Sequence, residues 1–308
     1  LVREGFLSQP SALAMQLTQS LTNAGQIRAG GDLNINAATV INQVNDAQRG
    51  LLDSQGASVF NVGTLTNRGD IESAGNATLN VQQMDNNAGA LVVTGALSIA
   101  AANTQSISND DGLIQAATTL NAAATTISNV SGRMLAIGAG PSSVVASANI
   151  DNTRGSIRTN AGVLTLQGQT INNALGLIEQ AGDTQLNLTA STLTNTQGRL
   201  LSGASLDLNL TNADNSEGQI RGTNLDYDGA HLTNNGGVVE AHTIDLDLSG
   251  DLTNGAAAGS AGLISAPNVA VNGLSINVAG TFDNSSGVTQ TNAQSGQTFF
   301  RTATLHFE

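Results

Sequence analysis

The sequence predicts an all-β fold, a single right-handed parallel β-helix of about 13 coils. Three observations carry that prediction. A phrase of apolar residue, any residue, Asn recurs along the chain at gaps of mostly about 19 to 24 residues, the range in which repeats mean a solenoid. A Gly a few positions later opens a short apolar stretch, as in "GQIRA", "GDIES", "GSIRT" and "GLIEQ". Strict alternation follows, as in "LNINA" at 33–37, "LTLQG" at 164–168 and "LNLTA" at 186–190. Period-two alternation means a strand with one buried and one wet face, and no helical three-and-four spacing is present.

The phrase begins at Leu21, Leu65, Met84, Ile107, Ile127, Ile150, Ile171, Leu193, Leu210, Leu232, Leu252 and Phe282. Ile41 starts a weaker copy, with Gln43 where Asn is expected. Each phrase marks a corner of a coil. Gly reaches positive φ without a Cβ clash and suits a sharp corner, and Asn tolerates the left-handed region and bonds to turn backbone. In a stack of coils the corner residues Asn23, Asn67, Asn86, Asn109, Asn129, Asn152, Asn173, Asn195, Asn212, Asn234, Asn254 and Asn284 lie above one another. Their amides then bond along the stack as a ladder.

Coils near 20 residues suit a wide, three-sided, right-handed helix, whereas a left-handed hexapeptide helix would show a period of six. At a rung spacing of roughly 4.8 Å the stack is a rod on the order of 60 Å. A leucine-rich repeat has a similar period but pairs one strand with a helical segment, and the double strand per unit here argues against it. The G-G-x-G-x-D signature of the calcium-binding nonapeptide roll is absent.

Residues 1–20 read as a partial first coil or an N-terminal cap, because "LAMQLTQSLTN" parallels "LNLTASTLTN" at 186–195. Residues 21–281 read as the β-helical shaft. The gap after Leu252 is near 30 and predicts an inserted loop around "GAAAGSAG". Residues 282–308 hold four of the six Phe and read as a last coil, a cap or a junction with a different domain. The first residue is Leu, and the chain reads as a piece of something longer.

Composition narrows the function. The net charge is −13, and all ten basic residues are Arg. That balance argues against nucleic acid, which needs clustered positive charge, and against an anionic membrane surface. No apolar run is long enough to span a membrane, so no membrane insertion is expected. Cys is absent, which removes disulfides and thiolate metal sites. Aromatic residues make up only 2 % of the chain, so the core must be built from Ala, Val, Ile and Leu in thin layers.

At this point the residues resemble a known family. "LTNAGQIRAGGDLNINA" and "INNALGLIEQAGDTQLNLTA" look like filamentous haemagglutinin repeats, over roughly residues 11 to 281. The resemblance implies a shaft of a large bacterial exoprotein exported by two-partner secretion, a group that includes adhesins and contact-dependent growth-inhibition toxins. It implies an extracellular or cell-surface location and an outer-membrane β-barrel transporter as partner during export. A cell-surface receptor protein or glycan is a further possible partner, and no cofactor is implied.

One local pattern is a candidate site. "LDLNL" at 206–210, "LDYDG" at 225–229 and "IDLDL" at 244–248 fall on consecutive coils. Asp207, Asp226 and Asp245 would stack outward, as would Asn209, Asp228 and Asp247. Like charges one rung apart repel by about 0.9 kcal/mol even at the dielectric constant of water. The face could bind Ca²⁺ or a basic partner, or stand as a solvated face that keeps the chain soluble. No catalytic residue is assigned. The same fold hosts polysaccharide-processing enzymes, but their sites need paired acids beside aromatic platforms, and this chain is nearly without aromatics. His231, His242 and His306 are dispersed, and the sequons at Asn187 and Asn209 follow from the repeat.

Overall fold

Alternation puts every second side chain inside, and stacking sets each inner side chain on its counterpart one coil earlier. The computed structural model describes residues 5–45, 48–100, 103–160, 162–267, 273–291 and 298–307. It is all-β, with no helix among the described residues, a right-handed parallel β-solenoid of about 14 turns. The chain divides into two units, Leu1–Asp151 with Gly155–Asn160 and Asn152–Arg154 with Ala161–Glu308.

Each coil has three sides. In the first unit one coil runs through Asp70–Ser73, then through the long strand Ala77–Asp85, which bends in its middle. The two halves of that strand pair separately with Leu97–Ile99 and Ser106–Ser108 of the next coil, so the bend is a true corner. The sides pair parallel from coil to coil.

Three apolar columns result in each unit. In the first unit one column stacks Ile27, Leu52, Ile71, Leu91, Ile114, Met134 and Ile157. In the second, Leu166, Leu188, Leu208, Tyr227, Leu246 and Ile276 stack along the long strands. All of these side chains are buried. Each contributes roughly 1.5–3 kcal/mol against exposure, the source from which a solenoid draws most of its stability. Tyr227 fits a leucine column because its hydroxyl leaves the core at the bend and donates to the His231 carbonyl at 2.9 Å. Burial pushes its phenol well above the ordinary tyrosine range.

The first coil is three-sided: Phe6–Gln9 pairs Gln26–Ala29, Leu13–Gln16 pairs Leu33–Asn36, and Ser20–Asn23 pairs Thr39–Asn42. Residues 1–20, expected to be a partial coil or a cap, therefore supply most of a full turn from Phe6 onward. At the other end Thr298–His306 pairs with Leu274–Asp283 as one more rung. Phe300 stacks on Phe282 with ring centroids 6.3 Å apart, and Phe307 meets the same ring edge-on. Residues 292–297 of that tail lie outside the described residues.

The loop expected around "GAAAGSAG" is a β-hairpin. Ala256–Ala257 pairs antiparallel with Ser260–Ala261, and the two turn residues Ala258 and Gly259 have φ of 48° and 81°. Positive φ at both central positions is the turn that matches strand twist. The first unit carries a second hairpin that the sequence reading did not anticipate. Val44–Asn45 pairs antiparallel with Gln48–Arg49. Both hairpins leave the chain between a corner Asn and the Gly that follows it, and each Gly then donates back across the hairpin base, Gly50 to Gln43 and Gly262 to Gly255.

Candidate functional site: the asparagine corner and the acidic face

The corner asparagines have zero or near-zero exposure, although Asn is among the residue types most often found at the surface. A buried amide must be satisfied, and the stack satisfies it. In the first unit Asn23 donates through Nδ2 to Asn42 Oδ1 at 2.8 Å, Asn42 to Asn67 at 2.8 Å, and Asn67 to Asn86 at 2.7 Å. Asn86 donates to Asn109 and Asn109 to Asn129, both at 2.7 Å. In the second unit the chain of bonds runs from Asn152 through Asn173, Asn195, Asn215, Asn234 and Asn254 to Asn284, at 2.7 to 2.8 Å throughout. The other Nδ2 hydrogen reaches a backbone carbonyl one coil on, as from Asn173 to the Arg199 carbonyl at 3.1 Å.

Two positions correct the sequence reading. Asn212 is not a ladder residue; it lies exposed on the outer surface, and Asn215 takes the place expected for it. The phrase there is Ala213-Asp214-Asn215, because Ala213 stacks between Leu193 and Leu232 while Leu210 belongs to the earlier half of the strand. Asn42 is a ladder residue that the reading missed. Val40, not Ile41, stacks on Leu21 and under Leu65, so the copy read as ending in Gln43 ends in Asn42.

The glycines also act differently from expectation. Positive φ falls on the residue before the Gly, such as Leu175 at 59° and Gln197 at 55°, and among the corner glycines described only Gly236 carries it. The Gly is required by close approach instead. A Cβ on Gly198 would sit 2.1 Å from the carbonyl oxygen of Asn173, one coil earlier, and one on Gly132 would sit 1.9 Å from that of Asn109.

The acidic face is built by register. Asp207 pairs with Asp226 and Asp226 with Asp245 in one outward row, and Asn209, Asp228 and Asp247 form the next. All five Asp side chains are exposed, while Leu206, Leu208, Leu225, Tyr227, Ile244, Leu246 and Leu248 face inward. Partial burial, followed by the fields of Asp228, Asp207, Asp245 and Asp247, pushes the Asp226 carboxyl above its ordinary range. Amides bond at two of these acids: Gln185 donates to Asp207 at 3.3 Å and Asn277 to Asp247 at 2.9 Å. Within each row the carboxylates stand one per rung. Among the described residues no three His, Cys, Asp or Glu side chains are placed to hold one metal ion. A cleft of about 540 Å³ runs beside Asp207, Asp226 and Asp245, and its described lining contains no aromatic ring.

His231 accepts the Asp251 N–H at Nδ1, at 3.1 Å, which uses it as a turn brace. Cross-coil ion pairs, Arg49 with Asp70 at 2.9 Å and Arg221 with Glu240 at 3.4 Å, are exposed and worth about 0–1 kcal/mol each.

Compared with known families, the chain matches the haemagglutinin repeat model over residues 5–72, 44–106, 92–136, 136–191 and 180–297. No curated protein and no solved structure matches it.

Proposed function

The chain belongs to the haemagglutinin repeat family, and from that premise we propose that it is a shaft segment of a large secreted bacterial exoprotein. The family and the solenoid fold support a secreted, surface-exposed, adhesin-like shaft. In this reading the shaft holds an adhesive or toxic domain away from the cell that makes it, after export through an outer-membrane β-barrel transporter. The observation that carries the reading is the closed hydrogen-bond accounting of the corners. Every ladder amide from Asn23 to Asn129, and from Asn152 to Asn284, bonds to its counterpart along the stack. Such a repeat transmits load and lengthens by whole coils.

The competing reading is a module that recognises target cells directly. The hairpins at 44–49 and 256–261, and the exposed Phe299 and Phe307, are the departures from an even surface that favour it. The test is binding of the fluorescently labelled chain, at micromolar concentration and below, to panels of bacterial and epithelial cells with and without calcium. The shaft reading expects no saturable binding above that of an unrelated β-helix. Saturable binding to one cell type would overturn it and make the chain a recognition module.

A further inference from the structure

We infer that the short strands of the second unit present an outer face that pairs with the same face of a second copy of this chain, the two second units running antiparallel. The inference goes beyond the shaft reading and stands on different residues.

The face is marked by a loss of alternation. Six strands stack there in register: Leu177–Gln180, Arg199–Ser202, the starts of Gln219–Thr233 and Val238–Leu248, Leu263–Ala266 and Val288–Thr291. Ile178, Leu200, Ile220, Val239 and Ile264 on these strands fill the core. Their outward neighbours should be polar, yet Leu177, Leu201, Val238, Leu263 and Val288 stand there, each partly or fully open to solvent. Val288 is 42 % exposed. The corner residue Leu175, two before Leu177, is 47 % exposed, where other coils carry Gln197, Glu217 and Ser286. On the other two sides of the same coils, between Leu164 and Asp283, no Val, Leu, Ile, Met or aromatic side chain points outward among the described residues. Parallel strands covered on both faces read as continuous apolar runs, whereas strands with one wet face alternate. Leu177-Ile178, Leu200-Leu201, Val238-Val239 and Leu263-Ile264 are such runs.

Charge selects what covers this face. The chain carries −13, and the acidic rows through Asp207, Asp226 and Asp245 oppose the approach of another copy on their side. The short-strand face sets Arg199 and Arg221 against Glu179 and Glu240, so it brings no net charge to an encounter. It is also complementary to itself, as a two-fold interface requires. Turned end for end about an axis along the strands, between the rungs of Gln219 and Val238, Arg221 lies over Glu240 of the second copy and Glu240 over its Arg221. Leu177 then meets Val288, Val238 meets Gln219, and the stem of Arg199 lies along Leu263. Within its own chain Arg221 already reaches Glu240 at 3.4 Å, so the two charged heads are held side by side for a second such pair. Six rungs at roughly 4.8 Å, and a four-residue strand with its corner rows, cover about 25 by 20 Å. Two copies would bury on the order of 1,000 Å², the lower limit for a specific interface. The pairing is therefore weak, and it gains where many copies stand side by side.

The test is sedimentation equilibrium of the whole chain from about 1 μM to about 1 mM, in low and high salt. The parent is expected to form a dimer with a Kd on the order of 100 μM. The dimer should persist in high salt, where repulsion between the acidic copies is screened. Val238→Glu puts a charge in the middle of the face and should weaken the dimer about tenfold or more. Thr189→Glu adds the same charge on an exposed row of a long strand and should leave it unchanged. A further arm uses the rim. Arg221→Glu and Glu240→Arg each set like charges opposite one another in a homodimer, and each alone should associate about tenfold more weakly. Mixed in equal amounts they should form a heterodimer near parent strength, because every charge then meets its opposite across the interface. Inside each chain the like-charge pair remains, so a role of Arg221 within its own chain predicts no recovery. Circular dichroism checks that every variant folds. Four results would each overturn the inference: a chain monomeric to the highest concentration, equal effects of Val238→Glu and Thr189→Glu, no gain on mixing, or a dimer that dissolves in high salt (the mark of acidic rows meeting arginines). Each of them leaves the shaft reading standing, because that reading is tested on cells.

Discussion

Asn212 lies near the end of the strand Ser205–Asp214 and Asn215 just beyond it, three residues apart, and the two face opposite demands. Asn215 accepts from Asn195 and donates to Asn234 Oδ1 at 2.7 Å and to the Val238 carbonyl at 3.2 Å, all within the core. Replacing it by Ala leaves the Asn234 oxygen without that donor and takes the acceptor from Asn195. Unmade bonds to buried groups cost about 1–3 kcal/mol. Asn215→Ala should therefore lower stability by about 2–3 kcal/mol, read from the urea midpoint, while Asn212→Ala stays within about 0.5 kcal/mol. Equal effects would show that the ladder does not govern the corner. The same contrast shows where the sequence was readable. The ladder was legible because a buried amide must recur at every coil to be satisfied. Asn212 was a wrong choice because Leu210 is also an inward residue, and a small Ala at 213 hid the true phase. Asn42 was missed because Val40 and Ile41 are both apolar, so alternation alone allowed either phase.

The strand rows of the acidic face were legible down to each inward and outward side chain, because alternation of Leu and Asp admits one register only. Less legible were the features with no hydrophobic phase. The hairpin of Val44–Asn45 with Gln48–Arg49 is a polar insertion that leaves the flanking pattern unbroken. The left-handed residues before many of the corner glycines were hidden for another reason: a strain of about 1–2 kcal/mol is small enough for a stacked coil to carry on any side chain, Leu175 included. For the acidic rows the energetics can be tested. Asp226 has its folded-state pKa raised, so the native chain holds its proton more tightly than the unfolded chain does. Its contribution favours folding below the ordinary Asp range and is lost as pH rises through the raised value. At neutral pH the face is thus a net cost. Asp226→Asn should raise stability at neutral pH, read from the thermal midpoint, by a few tenths of a kcal/mol and less than about 1 kcal/mol since the side chain is exposed. The gain should shrink in acid and in high salt. A variant less stable than the parent at neutral pH, in low salt, would show that the carboxylate is held by something more favourable than its neighbours allow.

For the whole molecule, a solenoid is stable as a sum of coil and interface contributions, so its integrity depends on phase more than on any one coil. The second unit offers a clean test. Removing residues 196–215 joins Asn195 to Ser216, takes out one full ladder interval of 20 residues, and lets Asn195 meet Asn234 as its next amide. The core then places Leu193 under Leu232, and Gly218 takes over the close approach that Gly198 made. Removing 197–215 instead keeps Thr196, so the corner gains a residue and its Gly no longer falls where Cβ is forbidden. The in-phase deletion should fold with β-rich circular dichroism and one cooperative urea transition, with a lower m-value because one coil less surface is exposed on unfolding. The out-of-phase deletion, though a residue longer, should be the less stable by about 2 kcal/mol or more, the class of effect expected when a backbone approach is blocked. If the two deletions unfold at the same midpoint, the corner geometry is not what fixes the stack, and the shaft would have to owe its order to the apolar columns alone.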